Sequence, residues 1–193
     1  MSEIKAWAAG AANDALELIA LDWQPLGLEE VEVEVEHCGL CHSDLSMLHN
    51  DWGITRYPIV PGHEAVGRIV AIGDAVKGLK VGQRVGIGWH AGSCMHCENC
   101  IAGEPNLCSQ AQPTINGHTG GFAQRIRAHW LWAIPLPDAL DMASAGPLLC
   151  GGITVFSPFL LYGIKPTDRV GVVGIGGLGH MALKFARAWG CEV

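Results

Sequence analysis

Eight cysteines lie in the chain, and four of them, Cys94, Cys97, Cys100 and Cys108, fall in one short loop as C-x2-C-x2-C-x7-C. Thiolates at that spacing can wrap a single ion tetrahedrally, and four sulfurs leave no coordination position open. A site of that kind shapes the chain rather than performing chemistry. Three further ligand-type residues, Cys41, His63 and Cys150, lie outside the loop, in contexts that suggest a second zinc with a free position. The expectation is two zinc ions per chain, one structural and one catalytic.

A second chemistry-bearing pattern is the turn Gly174-x-Gly176-Gly177-x-Gly179. In the dinucleotide fingerprint the first glycine permits a tight turn, the second lets backbone approach a pyrophosphate, and the third allows close helix–strand packing. Amides at the helix N-terminus, here including that of Leu178, then bind the anion. Glycine turns are common, so the context decides, and here an apolar run precedes the turn and an amphipathic helix follows it. An ordinary turn is the plain alternative. The residue that selects between NAD and NADP is expected beyond Val193.

These groups must be held by elements of two kinds. LELIALDW and VEVEVEH read as strands, the second alternating with period two as a half-buried strand does. CGLCHSDLSMLHN reads as a loop running into a short helix. EAVGRIVAIG and VGQRVGIG are further short strands, and dense glycine punctuation to about residue 135 predicts a partly open β-barrel. Helix is expected from Ala139 to Leu149 and from Ile153 to Leu161. A strand, the glycine turn, a helix carrying Leu178, Met181, Ala182, Phe185, Ala186 and Trp189 on one face, and the opening of another strand complete the chain. The fold class is therefore α/β with a mainly β N-terminal domain. Residues 1–150 form that domain, with the cysteine lobe at about 90–110, and residues 151–193 form the incomplete first part of a doubly wound domain.

Of the 193 residues 49% are hydrophobic and 16% are charged, so a packed core is expected and disorder is not. The net charge of −7, with no Lys/Arg cluster, excludes nucleic acid as a partner class. MSEIKAWAAG has no secretory apolar region, and the cysteine bunching suits metal rather than bridges, so a cytoplasmic location follows. The uncharged run between Met142 and Lys165 is long enough to cross a bilayer, but Pro147, Pro158 and its glycines favour a pair of buried helical stretches. No membrane partner is expected.

The order G-L-C-H-S-D, P-G-H-E-A-V-G, the four-cysteine lobe, L-L-C-G-G-I-T and G-I-G-G-L-G resembles the zinc-dependent medium-chain alcohol dehydrogenases, whose N-terminal domain is GroES-like. C-H-S-D-L-S followed by N-D-W-G is similar to their cinnamyl alcohol dehydrogenase-like branch, especially bacterial NADPH-dependent aldehyde reductases. The resemblance covers essentially the whole chain, with the cofactor domain present only as its opening. It implies reversible reduction of aldehydes to primary alcohols, with NADP(H) favoured over NAD(H) and a homodimer for a full-length relative. Two cysteines and one histidine are the established catalytic zinc set of alcohol dehydrogenases, and the resemblance assigns Cys41, His63 and Cys150 to it.

By the same resemblance Glu64 approaches the metal transiently, or is an ordinary acid behind the ligands. Asp44 holds the second nitrogen of His63, and Ser43 bonds the substrate oxygen and starts a proton relay. Many relatives continue that relay with a histidine where this chain has Ser46; His49 lies nearby, and a solvated surface role is its plainer reading. His42 falls near the cofactor pyrophosphate and Thr154 at the nicotinamide. Trp52 and Trp89 are pocket-wall candidates, with plain core aromatics as the alternative. Cys38 and Cys191 read as small buried hydrophobes. Two other classes of reading are a zinc-binding fragment without catalysis and a polyol dehydrogenase of the same superfamily.

Overall fold

The computed structural model describes residues 2–193, which divide into two compact units, one running to Gly146 and the other Pro147–Val193. In chain order the first unit holds β1 (Ser2–Ala8), β2 (Glu17–Trp23), β3 (Glu30–Cys38), α1 (His42–His49), β4 (Ala65–Ile72), β5 (Arg84–Ile87) and β6 (His90–Gly92). It continues with α2 (Glu98–Ile101), β7 (Gln112–Pro113), β8 (Arg125–His129), β9 (Ile134–Pro135) and α3 (Met142–Ala145). The second unit holds α4 (Gly151–Leu161) and α5 (Gly177–Trp189).

The first unit is a curled antiparallel half-barrel, its five strands ordered β8-β3-β4-β5-β9, with β1-β2 and β6-β7 as separate ribbons. Its core is the inward row of short, mostly branched side chains that the period-two pattern supplies: Val31 and Val33 of β3, Ile69 of β4, Val85 and Ile87 of β5, and Ile126 of β8. Between β3 and β4 the register slips after Glu32 and again after Val35, and Cys38 ends opposite Ala65. The second bulge closes the pairing beside two loops, 39–41 and 61–64, and the Gly39 amide donates to the Glu64 carbonyl at 3.1 Å. Residues more than twenty positions apart in sequence are thereby brought to one strand end.

The period-two reading of β3 puts Glu32 on the outer face, yet Glu32 is buried. Trp23 Nε1 donates to it at 2.5 Å, and the Arg125 and Arg127 guanidiniums bind its two oxygens. The Arg127 guanidinium also lies 4.4 Å above the Trp23 ring.

Three expectations about the C-terminal third are corrected. The helix expected at Ala139–Leu149 starts only at Met142, where Asp141 caps it by accepting from the Ala143 amide, and it tightens to a 3-10 turn over Gly146–Leu149. Gly146 and Pro147 explain the break, since neither favours a continuing α-helix. The run expected as two buried helices is only partly covered: Phe159 of α4 is buried against Ala186, Phe185 and Trp189 around α5, while Ile153, Leu160 and Leu161 are exposed. The apolar stretch before the glycine turn is not a strand beyond one parallel bridge, Arg169 to Glu192. An isolated extended segment has no ladder to join, and Val173 is fully exposed. Among the described residues no single helix is long and apolar enough to cross a membrane.

Candidate metal centres and cofactor turn

The lobe between β6 and β7 gathers its four cysteines around one point. The ligand atoms of Cys94, Cys97, Cys100 and Cys108 all lie within 4.8 Å of one another. Cys94 Sγ is 3.5 Å from Cys108 Sγ and 4.0 Å from Cys100 Sγ. A tetrahedron of sulfurs at the usual zinc distance has edges of about 3.8 Å, whereas a disulfide sulfur pair stands at about 2.05 Å. The spacing fits a metal and excludes bridges. Backbone N–H groups of His96 and Cys97 hold the Cys94 thiol down to about 6. For Cys97 the Cys100 amide lowers the value, but burial and the neighbouring sulfurs outweigh it and push the thiol up to about 11. Four sulfurs at this spacing fit around one cation, and a zinc ion would suit them.

The second constellation is built at the β3–β4 strand end. Cys41 caps α1 in extended conformation, and the Asp44 carboxylate accepts from its amide at 3.2 Å. The other Asp44 oxygen accepts from the Gly62 amide at 2.8 Å and from His63 Nδ1 at 2.9 Å. One carboxylate thus joins the start of a helix to the loop that carries the histidine. With Nδ1 donating to Asp44, Nε2 of His63 is the nitrogen left to bind metal. His63 is wholly buried, and Glu64 and Asp44 nearly so. The ligand atoms of Cys41, His63 and Glu64 lie within 4.8 Å of one another, a donor set of thiolate, imidazole and carboxylate that suits zinc. Cys150 belongs to the second unit, where it precedes α4 as its N-cap and its carbonyl accepts from the Thr154 amide at 3.0 Å.

Two glycines that the sequence reading passed over are required here. A Cβ on Gly39 would stand 1.9 Å from Glu64 Oε2, and one on Gly146 would stand 2.5 Å from the Glu64 carbonyl oxygen. Their signal was present in the G-L-C and A-G-P stretches, but only the fold shows that both keep space around Glu64.

The remaining candidates fall as follows. His42 and Ser43 open α1, His42 exposed and Ser43 half-buried, while Ser46 is buried on the same helix and His49 ends it half-buried. Trp89 lies edge to face with His63, centroids 4.9 Å apart, and the half-exposed Trp52 meets Trp89 at 6.0 Å. Thr154 is exposed on α4. Cys38 is surrounded closely enough that burial pushes its thiol up to about 12, and Cys191 is buried in the second unit.

In the glycine turn the three roles separate physically. Gly174 has φ of +88°, which favours glycine. A Cβ on Gly179 would stand 1.9 Å from the Gly174 carbonyl oxygen, so helix and turn pack at backbone contact. A Cβ on Gly176 or Gly177 would meet nothing within 4 Å, leaving open space before the amides of the α5 N-terminus. No acidic residue stands in the first turn of α5. The turn fits a pyrophosphate.

Comparison with known proteins agrees with this architecture. The family model for the alcohol dehydrogenase GroES-like domain matches residues 27–138. An aldehyde reductase, AdhA, of Synechocystis is 56% identical over 190 residues, 98% of this chain and 56% of the relative. A cinnamyl alcohol dehydrogenase of Sorghum bicolor superposes with a TM-score of 0.94 at 38% identity, covering 98% of this chain and 57% of that one. A cinnamyl alcohol dehydrogenase of Helicobacter pylori complexed with NADP(H) superposes with a TM-score of 0.92 at 30% identity, covering the same shares. The chain thus spans a little over half the length of these relatives.

Proposed function

Because the chain belongs to the alcohol dehydrogenase family with a GroES-like domain, in its cinnamyl alcohol dehydrogenase-like branch, we propose that it carries the zinc half of an aldehyde reductase. The reaction is reversible reduction of an aldehyde to a primary alcohol, with NADPH preferred. Cys41, His63 and Cys150 are the catalytic zinc ligands in this reading, and the lobe cysteines hold a second, structural zinc. The observation that carries it is the convergence of Cys41, His63 and Glu64 at one strand end, with His63 held in its metal-binding tautomer by Asp44.

Zinc bound there would supply Lewis-acid polarisation of the carbonyl, and the nicotinamide would supply the hydride. The chain's own residues do the rest. Asp44 keeps the proton on His63 Nδ1 and so keeps Nε2 available. The half-buried Ser43 hydroxyl, two residues after Cys41, would give its proton to the developing alcohol oxygen and take one back from solvent. Trp89 covers one side of His63 and limits water there. Amides at Gly176, Gly177 and Leu178 would hold the cofactor pyrophosphate, and by the family resemblance His42 and Thr154 would serve the pyrophosphate and the nicotinamide respectively.

The test is metal content together with NADPH-dependent aldehyde reduction and NADPH binding. Two zinc ions per chain, saturable NADPH binding and turnover are expected. Cys41→Ala and His63→Ala should each remove one zinc and abolish turnover. Normal aldehyde reduction in either variant would sink the zinc assignment. A chain that holds both zinc ions but binds no NADPH would favour the zinc-binding-fragment reading instead.

A further inference from the structure

Thr114 lies outside every motif of the sequence, yet each of its polar groups is used and none of it is exposed. Its amide donates to the Trp89 carbonyl at 2.8 Å, and its hydroxyl donates to the Gly88 carbonyl at 2.6 Å. Its own carbonyl accepts from His118 Nδ1 at 3.2 Å. One residue therefore fixes two successive peptides, those of Gly88 and Trp89, from a position directly after β7, whose partner β6 begins directly after Trp89.

Trp89 in turn packs against the buried cluster of Ala9, Met47, Ile59 and Ile115, with Ile115 the neighbour of Thr114. The indole then meets the His63 imidazole edge to face, at 4.9 Å and 80°. This contact acts on the ring in a direction different from the Asp44 hydrogen bond. The hydrogen bond from Nδ1 to Asp44 sets the tautomer and one direction of the ring, while the tilt about the N–H···O line is governed by what packs against the ring. A neighbouring aromatic ring at T-shaped distance restricts that tilt.

We infer that Thr114 is a positioning residue for the metal site, setting Trp89 against His63 and so fixing the plane in which His63 presents Nε2. The functional meaning rests on the reading of His63 as a zinc ligand, but the contact chain itself does not. Replacing the hydroxyl by a methyl would keep the volume and leave the Gly88 carbonyl without its partner in a buried place. The 88–89 backbone would then relax, and the indole would move with it.

The experiment is solution NMR of the full chain, following the ring C–H resonances of His63, identified by their loss in His63→Gln. Trp89→Leu marks where those resonances fall without the indole's ring current. Thr114→Val should move them toward the Trp89→Leu position at temperatures where the variant is folded. Thr114→Ser, which keeps the hydroxyl, should leave them at the wild-type position. A folded Thr114→Val protein with unmoved His63 resonances overturns the inference. Should Thr114→Val fail to fold, Thr114→Ser decides: unmoved resonances support the hydroxyl's role, and moved ones overturn it. A merely structural threonine would alter the melting temperature without displacing His63 in the folded state. The resonances are read with or without metal, so a chain that bound no zinc would defeat the functional reading and leave this test standing.

Discussion

The two candidate metal centres are built in opposite ways. The lobe's four cysteines lie within one short stretch whose helical turns, α2 and the 3-10 turn Pro105–Leu107, contain no buried residue. Cys41 and His63 instead stand at the end of the β3–β4 pair, next to Ala65 and the half-barrel core, with His63, Glu64 and Asp44 themselves buried. In the lobe a bound metal would supply the core that the chain does not. At the strand end the chain supplies the shape, and a metal there would add only chemistry.

The sharpest way to break that contrast is to remove a ligand from each centre. Cys97→Ser should release the lobe metal and unfold residues 94–108 together, because binding at a closed site is coupled to folding. The expected readout is loss of one zinc with amide-exchange protection lost across the lobe and kept in β3, β4 and β5. His63→Ala should lose the other zinc and leave protection in both regions nearly intact. A Cys97→Ser protein that kept both zinc ions and full protection would remove the distinction.

A smaller effect sharpens it. Asp44 binds no metal yet holds Cys41, Gly62 and His63 at once. Asp44→Asn should weaken metal binding at the strand end by about 10- to 100-fold, the usual cost of losing the partner behind a histidine ligand. Competition against a chelator measures this, with the lobe metal as internal reference. Equal affinity in variant and wild type would show that the core alone orients His63.

The contrast also explains what could be read from sequence. The lobe was legible because its spacing is local, and the α5 turn because glycine roles and helix periodicity are local too. The closeness of Cys41 to His63 needed the bulged register of β3 on β4, which no spacing records. The apolar run Val170–Ile175 has a strand's composition but no ladder partner, so composition misled. Thr114 was invisible because its partners, Gly88 and Trp89, sit on the far side of the lobe. Glu32 was hidden for a related reason: alternation gives the face a residue points to, but not what folds over that face.

Glu32 offers the smallest effect and the control for both centres, since it belongs to neither ligand cluster. Burial alone would raise its carboxyl, but hydrogen bonds from Arg127, Trp23 and Arg125 outweigh this and hold it below its ordinary value of 4.5. A carboxyl depressed in the folded state contributes stability above the unfolded value, and that contribution is lost as pH falls through the folded value. Glu32→Gln should therefore cost about 1–3 kcal/mol at neutral pH, the scale of charge-assisted hydrogen bonds, with the half-exposed Arg125 pair adding little. The gap to wild type in urea denaturation should shrink as pH is lowered below 4.5, while zinc content at neutral pH stays unchanged. Every other titration is shared by the two proteins, so the difference isolates Glu32. A gap independent of pH would mean that packing of Trp23 and Arg127, rather than the carboxylate charge, joins β3 to β8. The strand that ends at the metal site would then be held by shape alone.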